Sequence, residues 1–346
     1  MFYMSTKKVK LKLWAKISII VLAVILFLSA VLFGARCYFM MPVKDYYQAS
    51  QKAFLIPDID NGFIPQGIDY DKSSDCFFIS GYHKSHSSPV YLLDKASGKY
   101  KTLYLLDENG ANYDGHSGGI AVYNKFVYVA DGTGILVYSY NDMIKAEDGA
   151  TVNCQGKFST KFSDTDYIRC SFIDVTDNKL IVGEFYREQN YQTLSSHKIT
   201  TASGDYNQAF AVEFSLSTSS TYKFGIKPTP QKAYSLPDKV QGMTLESGKF
   251  YLSQSYGLSF SNVQVHDKNK AKYVESITLL GESVSLYSLD TNSKLYDYKL
   301  PPMSEELVFV SGYMYVMSES ASNKYIFGKL TNAKSCFKTD VNKLNP

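Results

Sequence analysis

The sequence predicts an all-β fold: a β-propeller of five four-stranded blades, preceded by one transmembrane helix at the N-terminus. Three observations predict it. A short two-strand signature recurs five times along the chain. Apolar and polar residues alternate over most of its length, with Gly, Asn and Asp between the runs. One uncharged apolar run stands near the N-terminus. The chain has 346 residues, of which 45% are apolar. That supplies a large core and excludes a disordered chain.

The N-terminal region comes first. Residues 1–36 hold Lys7, Lys8, Lys10, Lys12, Lys16 and Arg36 and no acid. The remainder, from Cys37 onward, carries 30 basic and 33 acidic residues. The overall charge of +3 therefore belongs to the tail, and no basic stripe marks a nucleic-acid binder. Ile17–Ala35 is free of charge, and as a helix it spans roughly 28 Å, one hydrocarbon core. A cleaved signal would need small residues at its exit, where Phe33-Gly34-Ala35 places a bulky ring. A lipoprotein signal would need small residues before Cys37, where Arg36 stands. The run reads as a retained signal anchor in the cell membrane. Its five preceding lysines keep the N-terminus cytoplasmic, and the rest of the chain is then extracytoplasmic. Five cysteines show no metal-ligand spacing.

The repeat follows. It reads as a small or polar pair, an aliphatic anchor, a turn, an alternating strand and a polar exit. The anchors are Ile68, Ile120, Ile173, Met243 and Leu307, at spacings of 52, 53, 70 and 64 residues. Further alternating runs after each hairpin make about four strands per unit. Such a sheet cannot bury both faces alone, but a ring of them can. The long spacings leave room for a sixth, degenerate blade as the alternative count. Residues 186–208 and 267–283 are polar and read as rim loops, and residues 141–148 read as a short helix. The expected organisation is a basic tail over 1–16, the span over 17–35, a stalk over 36–55, the propeller over 56–335 and a tail over 336–346, with pairing of part of the stalk to the last blade as one way to close the ring.

Candidate site residues follow from the ring. The start of each first strand faces one mouth of the central channel, and there stand Gln66, His116 with Ser117, Ser171, Gln241 and Glu305 with Glu306. The second-strand exits add Glu184, Gln254, Ser255, Tyr256 and Glu319. Glu305, Glu306 and Glu184 are the candidate acids or bases. Adjacent strand residues point to opposite faces, so one of Glu305 and Glu306 is expected to face the channel. A carboxylate there would draw a divalent cation such as calcium or move a proton. Otherwise no cofactor is expected. Asp114, two residues before His116, is a candidate to orient its imidazole. His83 and His86 read as solvated loop residues. No hydrolase, zincin or nucleotide-binding signature is present.

The stretches GHSGGIAV (115–122), VGEF (182–185), VQGM (240–243), LSQSYG (252–257), PPMSEE (301–306) and ESASNKY (319–325) resemble a family of exported or membrane-anchored bacterial propeller proteins. The resemblance covers roughly residues 56–330 and implies a tethered propeller without implying an activity. A more distant similarity is to glutamine cyclotransferase-like propellers, which share the Gln-Gly-aliphatic strand start. That likeness implies a central pocket with an acid and tryptophans, whereas the one tryptophan here, Trp14, precedes the apolar run.

The expected function is a membrane-tethered module that holds a peptide, glycan or protein at its rim and mouth. The alternative is an enzyme with an acidic channel site, of cyclotransferase or metal-assisted lactonase or hydrolase type.

Overall fold

The structure, a computed structural model, describes residues 12–325 and 327–344; most of the expected basic tail lies outside them. Five sheets form a closed ring around one axis. Blade 1 runs outward through Phe63–Asp71, Cys76–His83, Pro89–Asp94 and Tyr100–Leu105, with Thr151–Val152 added at its edge. The other inner strands are Ile120–Tyr123, Phe172–Thr176, Val240–Glu246 and Ser304–Val310. The chain is thus a five-bladed β-propeller, and the sixth-blade alternative is excluded.

The sequence builds this ring by making both faces of a strand apolar. In blade 1, Phe77 and Ile79 pack against blade 5, while Phe78 between them packs against blade 2. Buried apolar clusters fill each junction in turn, from blades 1 and 2 around to blades 5 and 1. Every blade therefore needs both neighbours to keep its apolar surface from water.

The ring closes between the two ends of the propeller. Ser50–Leu55 pairs antiparallel with Ser335–Thr339, so both ends of the chain contribute the outer strands of blade 5. The expected boundaries at residues 55 and 336 cut through this blade and are corrected accordingly. Alternation in Ser50–Leu55 is too weak to mark it as a strand alone, and non-local pairing defines it.

The second polar insertion is also corrected. Residues 267–283 are not a rim loop. Lys272–Leu279 and Glu282–Ser288 form a hairpin that leaves blade 4 and extends the outer edge of blade 3, pairing parallel with Ile226–Leu236. Asp166, in the blade 2–3 connection, accepts the backbone N–H groups of Leu280 (2.6 Å) and Gly281 (2.8 Å) at its tip. The first insertion folds inward at several points, among them Tyr186, His197 and Asn207, and holds a short hairpin of Ile199–Thr200 with Tyr206–Asn207. The short helix is Tyr140–Lys145, capped by the Ser139 hydroxyl. All five cysteines are unpaired.

The apolar N-terminal helix is Leu13–Met40, and none of its residues is buried by the protein. It passes straight into the turn Met41–Val43 and the helix Lys44–Gln48, which leads into Ser50–Leu55.

Candidate functional site at the mouth of the channel

An inner strand in a propeller has one unpaired edge facing the axis, and its N–H groups there need acceptors. Glu306 supplies one. Its Oε2 accepts from the backbone N–H of Ile68 (2.9 Å) and Ile120 (3.3 Å), and its Oε1 from that of Ile173 (3.3 Å). Three repeat anchors are thereby tied to one carboxyl group from a fourth blade. Room for it comes from glycine at the equivalent repeat position. A Cβ on Gly242 would sit 2.8 Å from Glu306 Cα, and one on Gly119 would sit 2.8 Å from Glu306 Oε1.

Above this plug a cavity of about 530 Å³ opens at the mouth. All five residues two positions before the anchors line it: Gln66, Gly118, Ser171, Gln241 and Glu305. In blades 1, 4 and 5 the pairing register breaks at this position, between Pro65 and Gly67, Val240 and Gly242, and Ser304 and Leu307. The break corrects the expectation that only one of Glu305 and Glu306 reaches the axis. A bulge suspends the up-down alternation, so Glu305 reaches the mouth and Glu306 the deeper plug.

Glu305 is 2% exposed, and its carboxyl makes no hydrogen bond among the described residues. Burial pushes its pKa well above the usual carboxylate range, and the nearby negative charges of Glu319 and Glu306 push the same way. Lys324 works against them. Burial also raises Glu319, which accepts from Tyr325 Oη (2.9 Å) and Gln66 Nε2 (3.1 Å). Burial raises Glu306 too, against the pull of its backbone donors.

Aromatic side chains form the walls: Tyr82, Tyr113, Phe185, Tyr191, Tyr256 and Tyr325. Three of these tyrosines already carry a cation of the protein itself. The Lys324 ammonium sits 5.0 Å from the Tyr82 ring centre and 5.2 Å from that of Tyr325, and it bonds the Tyr82 hydroxyl. The Arg187 guanidinium sits 3.8 Å from the Tyr256 ring centre.

Among the other expected residues, His116, Ser117, Ser255, Tyr256 and Glu319 line the cavity. His116 stacks on Tyr82 at 4.4 Å, and burial followed by the Lys324 charge lowers its pKa. It makes no bond to Asp114, which is exposed outside the cavity. The Gln254 amide turns away to donate to the Asp238 carbonyl (2.7 Å). Glu184 is fully buried outside the cavity. It accepts from the backbone of Arg169 (3.2 Å) and Phe210 (3.0 Å), and His197 Nδ1 lies 2.8 Å away. Its environment is that of a structural brace, and the alternation of its strand gave no sign of this. His83 and His86 stack on each other at 3.5 Å outside the cavity.

Tyr82, Asp131, Arg169, Lys324 and Tyr325 also line the cavity, beyond the residues that the repeat names. Tyr82 is the penultimate residue of its second strand and Asp131 directly follows its own, so the exit rule widened by one or two residues finds them. Tyr325 closes the ESASNKY stretch.

The Glu306 oxygens already face three N–H donors, whose positive ends would repel a cation at the same place. Among the described residues no group of three or more His, Cys, Asp or Glu side chains is arranged to hold a metal.

No family model matches the chain, and no curated protein is similar to it. Similar solved structures include a GH43_1 enzyme from Xanthomonas citri complexed with xylose. It is 11% identical, with a TM-score of 0.42, over 86% of this chain and 91% of that one. BamB from Moraxella catarrhalis is 9% identical, with a TM-score of 0.33, over 74% of this chain and 83% of that one. At these scores neither likeness bears on the site, and the blade count rests on the sheet order. The motif resemblance read from the sequence gains no family assignment from them.

Proposed function

We propose that the protein is a membrane-anchored, extracytoplasmic binding module whose mouth cavity captures a small ligand through an ammonium group. The observation that carries this reading is Glu305: a buried carboxyl without a hydrogen-bond partner among the described residues, facing a cavity walled by tyrosines. A cation entering there would pair with Glu305 and Glu319 and rest against aromatic faces. Each such face adds about 0.5–2 kcal/mol once water is excluded. Lys324 and Arg187 on the neighbouring tyrosines display the same chemistry within the protein. The anchor part of the reading draws on the helix Leu13–Met40, apolar on all sides and uncovered by protein, as a bilayer span requires.

Calorimetric titration of the protein with ethanolamine and choline tests the reading. Saturable heat with the parent protein, weakened at least about tenfold in Glu305→Gln, is the expected result, since a desolvated charge pair loses about 2–5 kcal/mol when one partner goes. Absence of binding by the parent protein, or equal binding by the variant, would overturn it.

The acid pair itself favours a second reading, an enzyme of cyclotransferase, lactonase or hydrolase type. Burial raises the Glu305 pKa and so favours a proton donor beside Glu319. Turnover of an N-terminal glutaminyl peptide, a lactone or an ester that Glu305→Gln abolishes would establish that reading over simple capture.

A further inference from the structure

The end of the apolar helix packs on the same loops that line the cavity. The Arg36 guanidinium donates to Asn332 Oδ1 (3.4 Å). The rings of Tyr38 and Phe39 lie 6.2 and 6.4 Å from that of Phe260. Asn332 belongs to the connection after Glu319, Lys324 and Tyr325, and Phe260 to the one after Ser255 and Tyr256. The helix therefore leaves the propeller on the side where the cavity opens. No flexible stalk intervenes, because helix, turn and second helix run without a break from Leu13 to Gln48.

This arrangement fixes where a ligand would come from. A bilayer around the apolar helix would lie against the mouth, not against the far side of the ring. The rim suits that position. Tyr191, Arg169 and Lys324 line the cavity, Leu258 adjoins the lining residue Gly257, and Lys329 follows Tyr325. Leu258 and Tyr191 are 46% and 42% exposed and the three basic residues are exposed, an aromatic and basic mixture suited to headgroup depth. Charge is also layered: acids at the floor of the cavity and bases at its edge. A headgroup carrying a terminal ammonium and an inner phosphate matches that order. Its amine would reach Glu305 and Glu319, and its phosphate would meet Lys324 and Arg169.

We infer that the cavity takes the headgroup of an amine-bearing phospholipid presented by the membrane that holds the anchor. This rests on the ammonium-binding reading and on retention of the helix. The same ammonium chemistry free in solution is the other source, and the test separates the two.

The full chain is reconstituted in nanodiscs made either of phosphatidylglycerol alone or of equal parts phosphatidylglycerol and phosphatidylethanolamine. Both are titrated with ethanolamine phosphate. In the first, saturable binding is expected; in the second, the lipid competes and the apparent Kd rises at least about tenfold. Glu305→Gln weakens binding at least about tenfold in both. Equal Kd values in the two discs would overturn the lipid proposal while leaving the ammonium reading intact. No binding in phosphatidylglycerol discs would overturn both.

Discussion

Glu306 Oε2 lies 2.9 Å from the backbone nitrogen of Ile68, although 238 positions separate the two residues. The contact joins blade 5 to blade 1 across the axis, and the same carboxyl reaches blades 2 and 3. Removing it strands three buried donors at about 1–3 kcal/mol each. Glu306→Leu is expected to lower unfolding stability by at least about 3 kcal/mol in denaturant titration. Glu306→Gln keeps an acceptor of the same shape and is expected to lose less than half as much. Equal losses would remove the acceptor role assigned to this side chain.

Below the plug, Asp69 accepts from the backbone N–H of Val122 (2.6 Å), linking blade 1 to blade 2. Burial, with the Asp174 charge adding to it, raises the Asp69 pKa to about 8. Burial raises Asp174 to about 6. A carboxyl that holds its proton more tightly folded than unfolded destabilises the fold as pH rises from the unfolded value to the folded one. Stability is therefore expected to fall as pH rises from about 4 to about 8, with the Asp174 share complete by about 6. Asp69→Asn removes its share of that slope, leaving the shares of Asp174 and of the raised Glu305, Glu306 and Glu319. Thermal unfolding across this range checks it, and an unchanged slope in the variant would count against the assignment.

The clasp between Ser50–Leu55 and Ser335–Thr339 predicts where the propeller tolerates shortening. Phe54 adds a ring contact with Phe77 of blade 1, at 5.1 Å between centres. A chain beginning at Met41 is expected to unfold in one transition. A chain beginning at Ile56 lacks the outer strand of blade 5, and its Tm is expected to drop by roughly 5–10 °C, the equivalent of a few kcal/mol. Matching midpoints in the two chains would show that the clasp contributes nothing.

The parts of this structure that sequence made legible are those set by local burial. The five anchors stood out because each is an aliphatic residue with a fixed neighbourhood, and the mouth positions followed from them. Gln66, Ser171, Gln241 and Glu305 converge as the repeat implies. What escaped depends on pairing between distant segments or on broken pattern. The hairpin 272–288 looks like a loop of its own blade because nothing in its composition names blade 3 as its partner. The bulge at Glu305-Glu306 defeats the alternation rule by breaking the regularity that the rule assumes. Glu184 looked like a channel acid because its repeat position is that of a strand exit. Its buried partner His197 sits in an insertion that no repeat position describes.

The central claim is that Glu305 receives a cation in its ionised form. Burial favours the protonated form of Glu305, so a cation bound by the ionised form is expected to release a proton, and affinity is expected to grow as pH rises. Ethanolamine affinity measured by calorimetry at pH 6 and pH 8 tests this most directly. Tighter binding at pH 8 is expected in the parent protein, and weaker binding with a smaller pH dependence in Glu305→Gln, where Glu319 still titrates. Equal affinity at both pH values in the parent, or a pH dependence as large in the variant, is the opposite result.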